Sequence, residues 1–218
     1  MMDSLQSQIL QRYWCMGGQA LTDQELLSLI LQSTDDEPQL AMAMFQHFGS
    51  LRTIIEAEWM DMKAIAGIAP HQFVVLPLAV ELMKRYQISF IAKSSVLENS
   101  TQTIAYLNLC LAGKKQEIFA CLFLDHQYRV IAFRELFYGS LRSARIHPRE
   151  LIRQVLHFNA AAVIFAHNHP SGCAQPSESD RYVTETLKQT LDLIEVQLLD
   201  HIVVAENESI SMASLGWI

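Results

Sequence analysis

Seven consecutive apolar residues, Ala160–Ala166 (AAAVIFA), end in two histidines, His167 and His169, followed by Pro170-Ser171-Gly172. A run this short, apolar at every position, is a strand buried on both faces and not a helix, which would leave a polar stripe. Such a strand belongs in the middle of a sheet with layers above and below. Side chains two apart on a strand leave the same face, so both imidazoles emerge together where the chain turns.

The flanking pattern supplies the covering layers. Glu117–Leu124 (EIFACLFL) and Arg129–Phe137 read as two further strands joined by Asp125-His126-Gln127. Pro148 starts a helix that runs to Phe158, Gln102–Leu111 and Ser177–Ile194 read as helices, and Leu198–Ala205 (LLDHIVVA) as another strand. Strands and helices in alternation predict an α/β domain, a mixed sheet flanked by helices.

The first ninety residues differ. Thr22 with Glu25 is a capping-box start, Pro38 opens a helix over Leu40–Phe48, Ser50 caps Leu51–Ala57, and Trp59–Ile65 runs into Gly67. Gln72–Tyr86 continues as an apolar segment in which Pro77 is expected to introduce a kink. The polar stretch Ala92–Thr101 separates the two patterns, so the expectation is a small all-α domain over residues 1–92 and an α/β domain over 97–218.

Composition narrows the class. Half the residues are hydrophobic and 18% are charged, as in an ordered globular chain. No apolar run reaches the roughly 18 residues of a membrane span, and MMDSLQSQILQRYW lacks the basic and apolar parts of a secretory leader. Four scattered cysteines form no CxxC pair. The expected location is therefore a reducing cytoplasm, with no membrane partner. The net charge is −7: residues 1–96 hold 6 basic against 10 acidic residues, and residues 97–218 hold 10 against 13. The basic stretch Leu141–Arg153, with Arg142, Arg145, Arg149 and Arg153, reads as solvated arginines, so strong non-specific affinity for nucleic acid is not expected.

The segment after the central strand has the composition of a metal site. His167 and His169 offer two imidazole nitrogens, and Asp180 falls in the first turn of the next helix, from which it can swing back as a third ligand. Three protein ligands leave one tetrahedral position for water, the arrangement of a catalytic zinc ion. Asp180 has a second reading as N3 of a capping box with Ser177 as N-cap. Cys173, in the turn between, reads as a loop cysteine.

His167-x-His169, ten residues and Asp180 resemble the JAMM (MPN+) metalloprotease signature. HPRE at His147–Glu150, AHNHPSG at Ala166–Gly172, PSxxD at Pro176–Asp180 and LLDHIVV at Leu198–Val204 resemble the bacterial RadC family over roughly residues 97–218. The resemblance implies a JAMM/MPN-type fold similar to cytidine deaminase, one Zn2+, and hydrolysis of a peptide or isopeptide bond in a protein or peptide substrate. It also implies roles for two more residues. Glu117, at the head of the first apolar strand, matches the JAMM general base, ahead of Glu135 and Glu150. Ser177, three before Asp180, matches the donor to the tetrahedral oxyanion.

Met62–Ala69 resembles the helix-hairpin-helix found ahead of the RadC catalytic domain, but Ala69 stands where the pattern has its second glycine, and Gln72–Leu82 contains no lysine or arginine. DNA is therefore the weaker partner, and a structural or protein-contact role is favoured. A RadC-type, DNA-repair-associated accessory or docking protein without turnover is the rival reading. Hydrolysis of a non-peptide amide or nucleotide-like amine is a third, for which the deaminase-type H-x-E…P-C-x-x-C pattern is missing.

Overall fold

The computed structural model describes residues 5–31, 38–65, 68–139, 147–206 and 208–218. Within them the chain forms two compact units, Met1–Leu82 and Met83–Ile218.

The first unit is helical: α1 (Leu5–Met16), α2 (Asp23–Ile30), α3 (Pro38–Phe48), α4 (Leu51–Glu56), α5 (Trp59–Met62) and the start of α6 (Pro70–Ile91). The caps form as the sequence predicts. The Thr22 hydroxyl accepts from the Glu25 N–H while the Glu25 carboxylate accepts from the Thr22 N–H, and Ser50 caps α4 reciprocally with Thr53. Leu27, Leu31, Met44, Ile54 and Met62 are almost fully buried in this unit's core. The helix expected over Trp59–Ile65, α5, is shorter, turning after Met62, whereas α6 continues through Pro77 to Ile91. The hairpin expected at Met62–Ala69 falls partly on Ala66 and Gly67, outside the described residues, as do Arg142 and Arg145 of the basic stretch.

The second unit is an α/β domain. Helix α7 (Ser100–Leu111) precedes β1 (Ile118–Leu124) and β2 (Val130–Tyr138); α8 (Pro148–Phe158), β3 (Ala162–Asn168), α9 (Glu178–Asp192), β4 (Gln197–Val204) and β5 (Ser209–Ser211) follow. The sheet order is β2-β1-β3-β4-β5, parallel only between β3 and β4. β1 and β3 are buried at every residue, which accounts for their unbroken apolar sequences. The even-numbered apolar residues of both strands pack with Tyr106, Leu107 and Leu111 of α7. Phe119, Cys121, Phe123, Val163 and Phe165 face the other way, onto Leu151 and Val155 of α8 and Leu187 and Leu191 of α9. Burying all these side chains at roughly 1.5–3 kcal/mol each is the main force holding the three layers together. β5 was not anticipated; it is three residues long and only partly buried. Among the described residues no helix is long and apolar enough to cross a membrane.

Candidate metal centre

β3 extends two residues beyond the apolar run, so His167 lies inside the strand and not after it. It pairs with Phe119 of β1 and Val203 of β4, and its ring is fully buried on the α8/α9 face. The His169 N–H donates to the Val204 carbonyl at 2.8 Å, which carries the β3–β4 pairing one residue further. The chain then reverses, with the Gly172 N–H donating to the His169 carbonyl at 3.0 Å. Gly172 has φ +86°, a conformation that a side chain disfavours.

At the start of α9 the Asp180 carboxylate makes the expected cap and also faces the two histidines. The Ser177 N–H donates to Asp180 Oδ2 at 2.6 Å, and the Ser177 hydroxyl accepts from the Asp180 N–H at 3.2 Å. The same side chain places Oδ1 3.5 Å from His167 Nε2 and Oδ2 3.5 Å from His169 Nε2. The cap therefore aims the carboxylate at the histidines and does not compete with that placement. Capping uses Ser177 Oγ as an acceptor, which leaves its O–H proton available to donate.

His167, His169 and Asp180 bring one ligand atom each to within 4.8 Å of one another, the one such group among the described residues. The two Nε2 atoms are 3.0 Å apart. A tetrahedron with centre-to-vertex distances of about 2.0–2.1 Å has edges of roughly 3.3 Å, near the 3.0 Å between the two Nε2 atoms and the 3.5 Å from each of them to a different oxygen of Asp180. Hydrogen-bond chemistry agrees. His169 Nδ1 lies 2.7 Å from the Cys173 carbonyl, which can only accept, so Nδ1 carries the proton. In neutral His169 a bare Nε2 lone pair then faces another imidazole nitrogen and a carboxylate, a convergence that either a proton on Nε2 or a bound cation satisfies.

The protonation preferences follow from the same convergence. The hydrogen bond to Asp180 raises the His169 pKa against the effect of burial, and the charges of Asp180 and Glu117 add to the rise. Burial pushes His167 down to about 4 despite the attraction of Asp180. Burial alone would raise Asp180, but the hydrogen bond from His169, the charge of His167 and the two contacts with Ser177 hold it far below the usual carboxylate range.

Glu117 sits one residue before β1. Extending the antiparallel register of Phe119 with His167 places Glu117 opposite His169 and on the face of the three ligand atoms. Its neighbourhood is fixed by Asn168, the residue between the two histidines. Asn168 Oδ1 accepts from the Ile118 N–H at 2.8 Å, and Nδ2 donates to the carbonyls of Lys114 and Gln116, both at 3.1 Å. The rival carboxylates lie elsewhere: Glu135 accepts from the Tyr138 hydroxyl at 3.0 Å, and Glu150 is pulled down to about 2 by Arg153. Sequence reasoning missed Asn168, which reads as a spacer, and also His201, whose Nε2 lies 2.8 Å from His167 Nδ1.

An open mixed sheet between helical layers, with two histidines at the end of its central strand and a carboxylate at the next helix start, defines a JAB/MPN-type domain. The model of the RadC-like JAB domain matches residues 97–217, and the chain belongs to that family. It is 40% identical to a UPF0758 protein of Ectopseudomonas mendocina (strain ymp) over 95% of this chain and 94% of the relative. Identity is 44% with a UPF0758 protein of Shewanella loihica (strain ATCC BAA-1088 / PV-4), over 91% and 89% of the two chains.

Proposed function

We propose that the chain is a zinc-dependent JAMM-type hydrolase that cleaves a peptide or isopeptide bond in a cytoplasmic protein or peptide. One observation carries the reading: three convergent ligand atoms can hold a cation, and the strand register sets a carboxylate, Glu117, opposite His169 on the same face. A bound zinc ion supplies Lewis-acid polarisation and lowers the pKa of water towards about 7. Glu117 accepts a proton from the attacking water at a carboxylate oxygen and returns it to the leaving nitrogen, as general base and then general acid. The Ser177 O–H donates to the carbonyl oxygen as it gains charge, a contact typically worth about 2.7–4 kcal/mol in the transition state. In this reading residues 1–92 are a structural or partner-contact module, with DNA the weaker partner, and residues 97–218 are the catalytic domain.

The test pairs metal analysis of wild type and His169→Ala with a peptidase screen of wild type and Glu117→Gln. Stoichiometric zinc in wild type, its loss in His169→Ala, and cleavage abolished by Glu117→Gln support the proposal. Failure of wild type to take up zinc overturns it. Zinc uptake with no substrate on which the two proteins differ favours the docking platform.

A further inference from the structure

The polar chain behind His167 has a direction that can be deduced atom by atom. Thr184, one turn after Asp180 on α9, is almost fully buried. Its Oγ1 lies 2.6 Å from the Asp180 carbonyl oxygen and 2.6 Å from His201 Nδ1. A carbonyl only accepts, so the single hydroxyl proton of Thr184 goes to Asp180 O. Thr184 Oγ1 must then accept from His201, which places a proton on His201 Nδ1. The His201 ring is fully buried between Phe119 and Phe165, an environment that favours the neutral imidazole with its Nε2 bare. That Nε2 is 2.8 Å from His167 Nδ1 and accepts from it. Neutral His167 is left with Nδ1–H and a bare Nε2, the atom facing His169 and Asp180.

We infer that His201 and Thr184 are positioning residues that lock His167 in the one tautomer able to bind a metal ion through Nε2. The inference rests on the proposed metal site and adds a requirement of its own. Were the chain reversed, His167 would carry its proton on Nε2, directed at the other ligands, and would have no lone pair there. The carbonyl that sets the direction belongs to Asp180, so a single residue supplies the third ligand atom and the anchor of the tautomer chain. Outer partners that hold a ligating histidine typically contribute 10–100-fold in metal affinity.

The fold brings His201 to this position through an irregularity. Val163 pairs with Leu198, but Ile164 pairs with Asp200, so Leu199 is an extra residue in β4. An unbroken register would set Asp200 beside Phe165. The shift sets His201 there, on the face of His167.

Two measurements test the inference. Nitrogen-15 NMR of the metal-free wild type is expected to show Nδ1–H tautomers for both His167 and His201. Zinc affinity by chelator competition is expected to fall 10–100-fold in Thr184→Val, which keeps the shape and loses the hydroxyl, and to recover in Thr184→Ser. An Nε2–H tautomer at His167 in the wild type overturns the inference even if no variant can be purified. So does a Thr184→Val affinity within twofold of a wild type that binds zinc. Wild-type protein that takes up no zinc overturns the metal site, whereas the tautomers read in the metal-free protein overturn or support this inference by themselves, so the two failures are distinguishable.

Discussion

Asn168→Ala is expected to cost more than its exposed neighbours suggest. The side chain is 3% exposed and makes three hydrogen bonds, at 2.8, 3.1 and 3.1 Å, across about fifty residues of sequence. Truncation leaves the N–H of the buried Ile118 without its acceptor, a loss of about 1–3 kcal/mol. The carbonyls of Lys114 and Gln116 belong to exposed residues that water can reach, so each lost bond adds only about 0.5–1 kcal/mol. The total is about 2–5 kcal/mol, and with a slope of about 2 kcal/mol per molar urea the unfolding midpoint should move down by roughly 1–2.5 M. The assay is urea unfolding of metal-free protein followed by near-ultraviolet circular dichroism. Asn168→Asp supplies a pH signature. It keeps the acceptor for Ile118 but turns a buried carboxylate toward two carbonyls, so its folded pKa rises above the unfolded value of about 3.9. Its stability relative to wild type is therefore best below the unfolded pKa and worsens as pH rises through the folded pKa. An Asn168→Ala protein within about 0.5 kcal/mol of wild type, the range of ordinary surface changes, would refute the claim that Asn168 holds the Glu117 segment.

Other expectations follow from the same geometry. Ser177→Ala removes the N-cap acceptor of α9 and should lower stability by about 0.5–2 kcal/mol in urea unfolding of the metal-free protein, with Ser177→Gly costing less. Phe165→Ala empties a fully buried site on the α8/α9 side and should cost about 3–5 kcal/mol by the same measurement. Because the His169 pKa is raised, a metal ion must displace its proton, so zinc uptake should release protons and weaken as pH falls through that pKa; calorimetry in buffers of different ionisation enthalpy would read the proton count. Zinc at about one hundred times its dissociation constant should stabilise the fold by roughly 2.7 kcal/mol, and chelator should reverse the gain in a thermal melt.

The parts of this molecule that could be read from its sequence are those set by local chemistry. Pro148 opens α8 at its expected start, and Asn159, in the left-handed conformation at φ 48°, closes it after Phe158. The capping boxes at Thr22, Ser50 and Ser177 are each contained within four residues. The candidate metal cluster belongs to the same category. His167 lies in β3 and His169 one residue past its end, and the cap that orders the first turn of α9 also points Asp180. The residues that support the cluster could not be read in this way, because their roles depend on distant pairings. Asn168 acts on a segment about fifty residues earlier, and nothing in H-N-H distinguishes a structural amide from a spacer. His201 lies in a run, LLDHIVV, whose two leucines conceal the register shift at Leu199. Alternation counted without that shift turns His201 away from the site, since a slip of one residue exchanges the two faces of a strand. The ligand set is thus specified by a short motif, but its protonation state is specified by the sheet. Grafting H-x-H and a capping Asp onto another strand and helix would reproduce the three ligand atoms without fixing which nitrogen of the first histidine is bare.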